Sequence, residues 1–423
     1  MSNTLISLAH NAWNNAADFR GRRLRYLRFA YGNQWLDPSE RDPRLSEARA
    51  AIESGTEPVT NNLIRPLLKT IVGRFRADNA EAYRKKYPDD INLLSELDAR
   101  ALEEYLISGC AIQRVAPDTR SGVKAVYVDN INPSHFFINS YSDPRGSDIT
   151  LIGVLHDMSI AEIISRFGRR DSRRIARIGK CFKDLSCAGA SPMRHLGNGI
   201  SESAGDFFIP APGRHRVIEL WTLDVVPNPK SSADIATRWT CRWLTPDGHV
   251  LDRLVSQSGS HPFAVKLYPL TDGAVHPFVE DLIDQQKSVN RLVSMINRMV
   301  AHSAKGVLTF PLDQLPSKYS LDDISELWAS FDGIIPIKHS GGTQPQQLID
   351  NNVGQGVANI LNIQMQLFQD ISGVSTALMA RDPGNAGSSL YHAQTENAVI
   401  ALADILHSFS SFIAQRDRLL KSN

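Results

Sequence analysis

Hydrophobic positions follow a helical period at both ends of this chain and a two-residue period in between. Leu5–Ala30 mixes polar and apolar residues as a helix does. It ends in a basic, aromatic cluster: Arg20, Arg22, Arg23, Leu24, Arg25, Tyr26, Leu27, Arg28 and Phe29. Tyr31-Gly32-Asn33-Gln34-Trp35 breaks that helix, and Asp37-Pro38 makes a turn. Asn61-Asn62 then precedes Leu63, Ile64, Leu67, Leu68, Ile71, Val72 and Phe75, a capped amphipathic helix with Pro66 in its tolerant first turn. Ile91–Leu106 predicts a further helix.

From Gly109 the period shortens. Ala111–Val115, Lys124–Val128, His135–Ile138 and Asp148–His156 are short, rich in β-branched or aromatic residues, and bounded by turn formers. They predict strands of an antiparallel sheet. Ser159 with Glu162 predicts a capping box for a helix over Ile160–Phe167. Gly168–Gly205 opens with Arg169, Arg170, Arg173, Arg174, Arg177, Lys180 and Lys183 and reads as a helix end leading into a mobile loop. Val217–Leu223, Ala236–Leu244, Val250–Val255 and Phe263–Pro269 return to strand pattern, with a turn at Pro246-Asp247-Gly248.

The last third is helical again. In Pro277–Ser303, Leu282, Val289, Leu292, Val293, Ile296, Met299 and Val300 share one face. Glu280, Asp284, Lys287, Arg291, Arg298, His302 and Lys305 occupy the opposite one. The apolar face must pack on another element, and the charged face meets water or a polar partner. Gln355–Ala380 carries a second stripe, from Val357 through Ile360, Leu361, Gln364, Leu367, Phe368, Ile371 and Val374 to Leu378. Between the two helices, strands at Val307–Phe310 and Gly333–Ile337 flank a helix at Leu321–Phe331 that bears Asp322, Asp323 and Glu326. A Gly-rich loop, Arg381–Ser389, leads to a last helix near Leu390–Lys421. The fold class expected is α+β, mainly helical.

Composition narrows the function. The 423 residues carry 46 Lys and Arg against 45 Asp and Glu. That balance excludes a protein that coats nucleic acid, which needs an excess of cations to neutralise phosphates. Four cysteines in such a length read as a reduced, intracellular protein. Cys181, Cys187 and His195 lack the spacing of zinc knuckles, so no metal site is expected. MSNTLISLAHNAW has no basic n-region, and no apolar window is long enough for a membrane span. No His-Glu-x-x-His, Walker A or Gly-x-Ser-x-Gly motif occurs, so neither an enzyme nor a cofactor is expected. Gly384-Asn385-Ala386-Gly387-Ser388-Ser389 lacks the lysine of a phosphate loop.

The order of helix, small α/β insert, helix, Gly-rich loop and long helix resembles the tailed-bacteriophage portal proteins, most closely those of short-tailed phages. Arg25–Trp35, Asn61–Pro66 with Ile71-Val72-Gly73, Val128–Pro133 with Phe136–Asn139 and Asp143-Pro144-Arg145, Asp284–Arg291, and Ile371–Val374 with Ala386–Ser389 carry the resemblance. It implies a ring of about twelve copies, closed by heterologous contacts, at one capsid vertex. It implies a wing over residues 1–274, stem helices over 275–304 and 350–380, and a clip over 305–349. A tunnel loop over 381–391 and a long wing helix over 392–423 complete it, with the crown short or absent.

On the same resemblance, Asp284, Lys287, Arg291 and Arg298 line the channel. Arg381, Asp382, Gly384, Asn385, Gly387 and Ser388 form the tunnel loop, and Asp322, Asp323 and Glu326 dock terminase or adaptors. The implied partners are the chain itself, double-stranded DNA passing without sequence specificity, the terminase large subunit, tail adaptors and the major capsid protein, with no membrane. The implied location is the virion, after assembly in the host cytoplasm. The competing reading is an intracellular enzyme or binding protein whose helices mimic this order.

Overall fold

The structure is a computed structural model. It describes residues 2–422 except 89, 121, 141, 144, 145, 147, 170, 184–205, 228–234, 257, 258, 272, 304–306, 313, 314, 330–334, 336, 339–345, 349–352 and 375–387. The fold is α+β. The chain divides into two compact units, residues 1–31, 62–283 and 372–423 in one, and 32–61 with 284–371 in the other. Residues 32–61, expected with the N-terminal region, are thus compact with the first long helix of the last third.

In the first unit, Phe136–Ile138, Leu151–Met158, His215–Pro227, Ile235–Leu244 and Val250–Val255 pair in that order as an antiparallel sheet of five strands. Side chains alternate across a strand. Val217 and Trp221 therefore join Trp239, Cys241 and Trp243 in one core. Ile218 and Leu220 join Leu244, Trp13 and Phe207 in another. The central strand is buried on both faces, which is why its apolar run is nearly continuous. Gly153 is required where the sheet tightens, because a Cβ there would lie 2.2 Å from Phe137 Cζ. Val123–Asn130, Cys110–Arg120 and Phe263–Leu267 form a second, three-stranded sheet.

Helices complete this unit. The expected single helix over Leu5–Ala30 is two, Ser2–Asn15 and Ala17–Tyr31. Ile64–Lys86 buries Ile64, Leu67, Leu68, Ile71 and Phe75 along one face, and Asn62 Oδ1 accepts from the Arg65 backbone N–H at 3.1 Å. The last helix, Ser388–Ser422, packs Phe409 edge-on to Phe75, with ring centroids 5.6 Å apart. Its Arg416 is fully buried and donates to Asp98 at 3.0 Å. The Ser159–Glu162 capping box forms. The basic run after it, expected as a helix end, is a helix of its own, Ser172–Lys183, and the loop expected to follow lies mostly outside the described residues. Ile178 and Phe182 are buried in the sheet's core, so a spacing of four residues supplies an apolar face beneath the arginines.

The second unit holds a short helix, Glu47–Glu53, and the helix Ile283–Ser303, which begins after a 3₁₀ turn at Glu280–Leu282. Val307–Thr309 pairs with Gln346–Leu348. Much of the strand expected at Gly333–Ile337 lies outside the described residues. Leu321–Ala329 is the expected helix, and Val353–Ser372 is followed by Gly373 at φ +63°.

Candidate functional site

The expected channel face lies on the helix Ile283–Ser303. Its apolar and charged stripes were expected to set which side packs. In the second unit, however, the residues buried are Gln286, Val289, Asn290 and Ser294. That face is turned by about 80° from the apolar stripe, at 100° per residue. Three of the four are polar, and each has a partner. Val59 N–H donates to Ser294 Oγ at 2.9 Å, and Asn61 N–H donates to Asn290 Oδ1 at 2.9 Å. Gln286 Nε2 donates to Asn61 O at 2.7 Å, and Asn290 Nδ2 donates to Gln34 Oε1 at 2.6 Å. An extended stretch of main chain is thus satisfied by helix side chains, where a sheet would have used a neighbouring strand.

This docking also decides the fate of the predicted cations. Lys287 has a side chain only 16% exposed and lies between Asp37 Oδ2 at 2.7 Å and Glu47 Oε1 at 2.9 Å. Arg291 Nη2 reaches Glu40 at 2.9 Å and Glu47 at 3.4 Å. Its hydrogen bond and charge hold the Glu40 carboxyl below the usual carboxylate range. Arg298 donates to Ser54 O at 2.9 Å and to Thr56 Oγ1 at 3.0 Å. Asp284 is exposed and has no ion pair among the described residues. Three of the four residues are therefore engaged within the subunit, Lys287 and Arg291 by acids and Arg298 by Ser54 and Thr56, all in a segment, 32–61, that sequence reasoning did not bring to them. The signal available was Gln286, Asn290 and Ser294 at i, i+4, i+8, a polar ridge beside the apolar one.

In the insert, Asp322 and Glu326 are exposed, one turn apart on the helix Leu321–Ala329. Asp323 is exposed too, but it serves its own helix. Ser320 N–H and Oγ donate to Asp323 Oδ2 at 2.7 and 2.8 Å, and Asp323 N–H donates back to Ser320 Oγ at 3.1 Å. The Ser320 backbone N–H, followed by its hydroxyl, lowers the Asp323 carboxyl pKa. Of the expected tunnel loop, Arg381, Asp382, Gly384, Asn385 and Gly387 lie outside the described residues, and Ser388 opens the last helix.

The basic cluster near the N-terminus is largely internal. Arg20 stacks over Trp13 at 3.5 Å, and burial lowers its pKa to about 10. Arg23 donates to both Glu104 oxygens, at 2.7 and 2.8 Å.

Among the described residues, no group of three or more His, Cys, Asp or Glu could hold a metal ion. Nor is any described helix long and apolar enough to cross a membrane.

Apolar side chains stand exposed on the second long helix. Ile360, Ile363, Leu367 and Ile371 are 47%, 55%, 38% and 45% exposed, and they fall within one face of Val353–Ser372. Phe368 is buried, so the stripe read from the sequence divides into an inward and an outward part.

No curated protein matches the chain. A family model described as Phage P22-like portal protein matches residues 86–420, about four fifths of its length. The chain belongs to the phage P22-like portal protein family, the head-to-tail connectors of bacteriophage DNA packaging.

Proposed function

We propose that the chain assembles into a closed ring of about twelve copies at one capsid vertex, through which duplex DNA is packaged and ejected. The observation that carries the assembly is the outward stripe of Ile360, Ile363, Leu367 and Ile371. Four large apolar residues on one helical face call for a partner, and isolated surface apolars do not. A second copy packed on this face, repeated by rotation, closes the ring.

Within that ring, residues 1–274 and 392–423 form the wing, 275–304 and 350–380 the stem, and 305–349 the clip. Residues 381–391 form the tunnel loop. Asp284, Lys287, Arg291 and Arg298 contribute to the channel wall. The ion pairs of Lys287 and Arg291 suit that place, because every free cation facing a phosphate adds to affinity and slows a moving polyanion. On the clip, Asp322 and Glu326 offer an acidic pair to the terminase large subunit and tail adaptors, and Asp323 holds the helix that presents them. The family is structural rather than enzymatic, and the energy of packaging comes from the separate terminase. The assembled ring sits in the virion, held by the major capsid protein.

Native mass spectrometry with end-on electron microscopy tests this reading. The expected result is a closed ring with a central hole wide enough for duplex DNA. A compact dimer that buries Ile363 and Leu367 without a hole would overturn it.

A further inference from the structure

The wing carries a concentrated positive charge that the channel reading does not use. Between residues 160 and 183 there are eight Lys and Arg and two Asp and Glu, which leaves +6 in a chain of net charge +1. Five of these cations fall into two groups. Arg169 makes two hydrogen bonds to the Asp252 carboxylate, at 2.7 and 2.8 Å. Arg174 donates to Leu251 O at 2.5 Å. Both pin the helix Ser172–Lys183 to the sheet's edge strand, Val250–Val255.

Arg173, Arg177 and Lys180 form the second group. They are exposed and make no ion pair or side-chain hydrogen bond among the described residues. At 100° per residue they fall within about 60° of one another, and at 1.5 Å per residue they span about 10 Å. Ile178 and Phe182 hold the opposite face in the sheet's core, so the cations point away from it and the helix cannot roll to hide them. The result is a straight row of three unpaired charges on a rigid support.

We propose that this row, on residues that the ring reading assigns to the wing, is a second DNA-binding surface, which takes the phosphate backbone of duplex DNA without reading sequence. Charge complementarity identifies the occupant. Duplex DNA carries one negative charge per ~1.7 Å of axis, so a row of about 10 Å meets several phosphates at once. Contacts from such a row to phosphate oxygens fix position and carry no sequence information. Unlike Lys287 and Arg291, whose charge is neutralised by neighbouring acids, these residues keep their full charge for an external polyanion.

Fluorescence anisotropy of a short mixed-sequence duplex, titrated with the full chain over a series of salt concentrations, tests the assignment. Three phosphate contacts contribute a slope of about −2.7 to log affinity against log salt, or about 40-fold weakening across a fourfold rise in salt. The variant R173Q/R177Q/K180Q is expected to lose that slope and the affinity that goes with it. The variant R173K/R177K/K180K keeps the charges and is expected to retain both. Equal slopes for wild type and the Gln variant overturn the proposal. Loss of binding to an acidic protein surface such as the capsid shell, with DNA binding intact, reassigns the row to a protein partner and also overturns it. Ring formation, followed on the same samples by native mass spectrometry, is expected to be unchanged, so a failure here is separate from a failure of the ring reading.

Discussion

The five-stranded sheet and the helix Ile283–Ser303 bury polar groups in opposite ways. In the sheet, a charged residue sits inside an apolar core. Glu219 is fully buried and accepts from Arg114 Nε at 3.1 Å and Trp221 Nε1 at 2.9 Å. His156 Nε2 lies 2.9 Å from its other oxygen and carries the proton, since an ionised carboxylate only accepts. On the helix, the buried face is itself largely polar, and apolar residues are left outside. The sheet holds its charge within one apolar core. The second unit pairs the main chain of Val59 and Asn61 with its own helix and leaves Ile360, Ile363, Leu367 and Ile371 exposed.

The largest expected effect falls on the sheet. Arg114→Met leaves Glu219 buried without its cation, and breaking a buried pair costs about 3–5 kcal/mol. Burial alone would raise the Glu219 pKa, but the Arg114 charge and the hydrogen bonds from His156 and Trp221 outweigh it and lower it to about 2. A carboxyl held below its unfolded value of about 4.3 stabilises the fold fully above that value. The contribution is lost as pH falls from about 4 to about 2. Denaturant unfolding of the wild type is therefore expected to weaken over that window, and the Arg114→Met variant to start weaker with a shallower acid loss. Equal stability of the two proteins at neutral pH would show that the sheet does not depend on this charge.

A smaller effect is expected on the helix. Asn290→Leu keeps the volume but removes the acceptor for Asn61 N–H and the donor for Gln34. An unsatisfied buried group costs about 1–3 kcal/mol. Hydrogen exchange should report it as faster exchange at Asn61 and Val59, with the sheet's strands unaffected. Uniform acceleration across both units would mean that the polar ridge supports the whole chain and the comparison fails.

What the sequence made legible follows the same division. Elements with one clear period were legible, as at the start of Ile64–Lys86 and the Ser159 capping box, because burial there follows hydrophobicity. The succession of long helix, insert helix and second long helix in the last third was legible, and with it the family. The packing face of Ile283–Ser303 was not, because Gln286, Asn290 and Ser294 are buried by hydrogen bonding to a distant segment, which hydropathy does not register. The burial of Arg20 and Arg23 was not legible for a related reason: a guanidinium stacked on Trp13 or forked onto Glu104 is a core group with a surface composition. The helix Ser172–Lys183 was hidden by the density of its arginines, although Ile175, Ile178 and Phe182 kept a helical spacing.

The smallest expected effect on folding is also the sharpest test of the division. Ile363→Gln with Leu367→Gln changes two side chains that are 55% and 38% exposed in the single subunit. Surface substitutions of this kind shift stability by about 0.5 kcal/mol or less. If the stripe meets a second copy, the same change removes apolar burial at every interface of a ring. Full burial of such a side chain contributes about 1.5–3 kcal/mol. A closed ring repeats one interface around its circumference, so a modest loss per contact recurs at each. The expected outcome is an unchanged denaturation midpoint for the subunit with a shift from rings to smaller species in native mass spectra. Rings that persist in the variant would place the interface elsewhere. A lowered midpoint would make the stripe part of the subunit's own packing, and the second unit would then be as self-contained as the sheet.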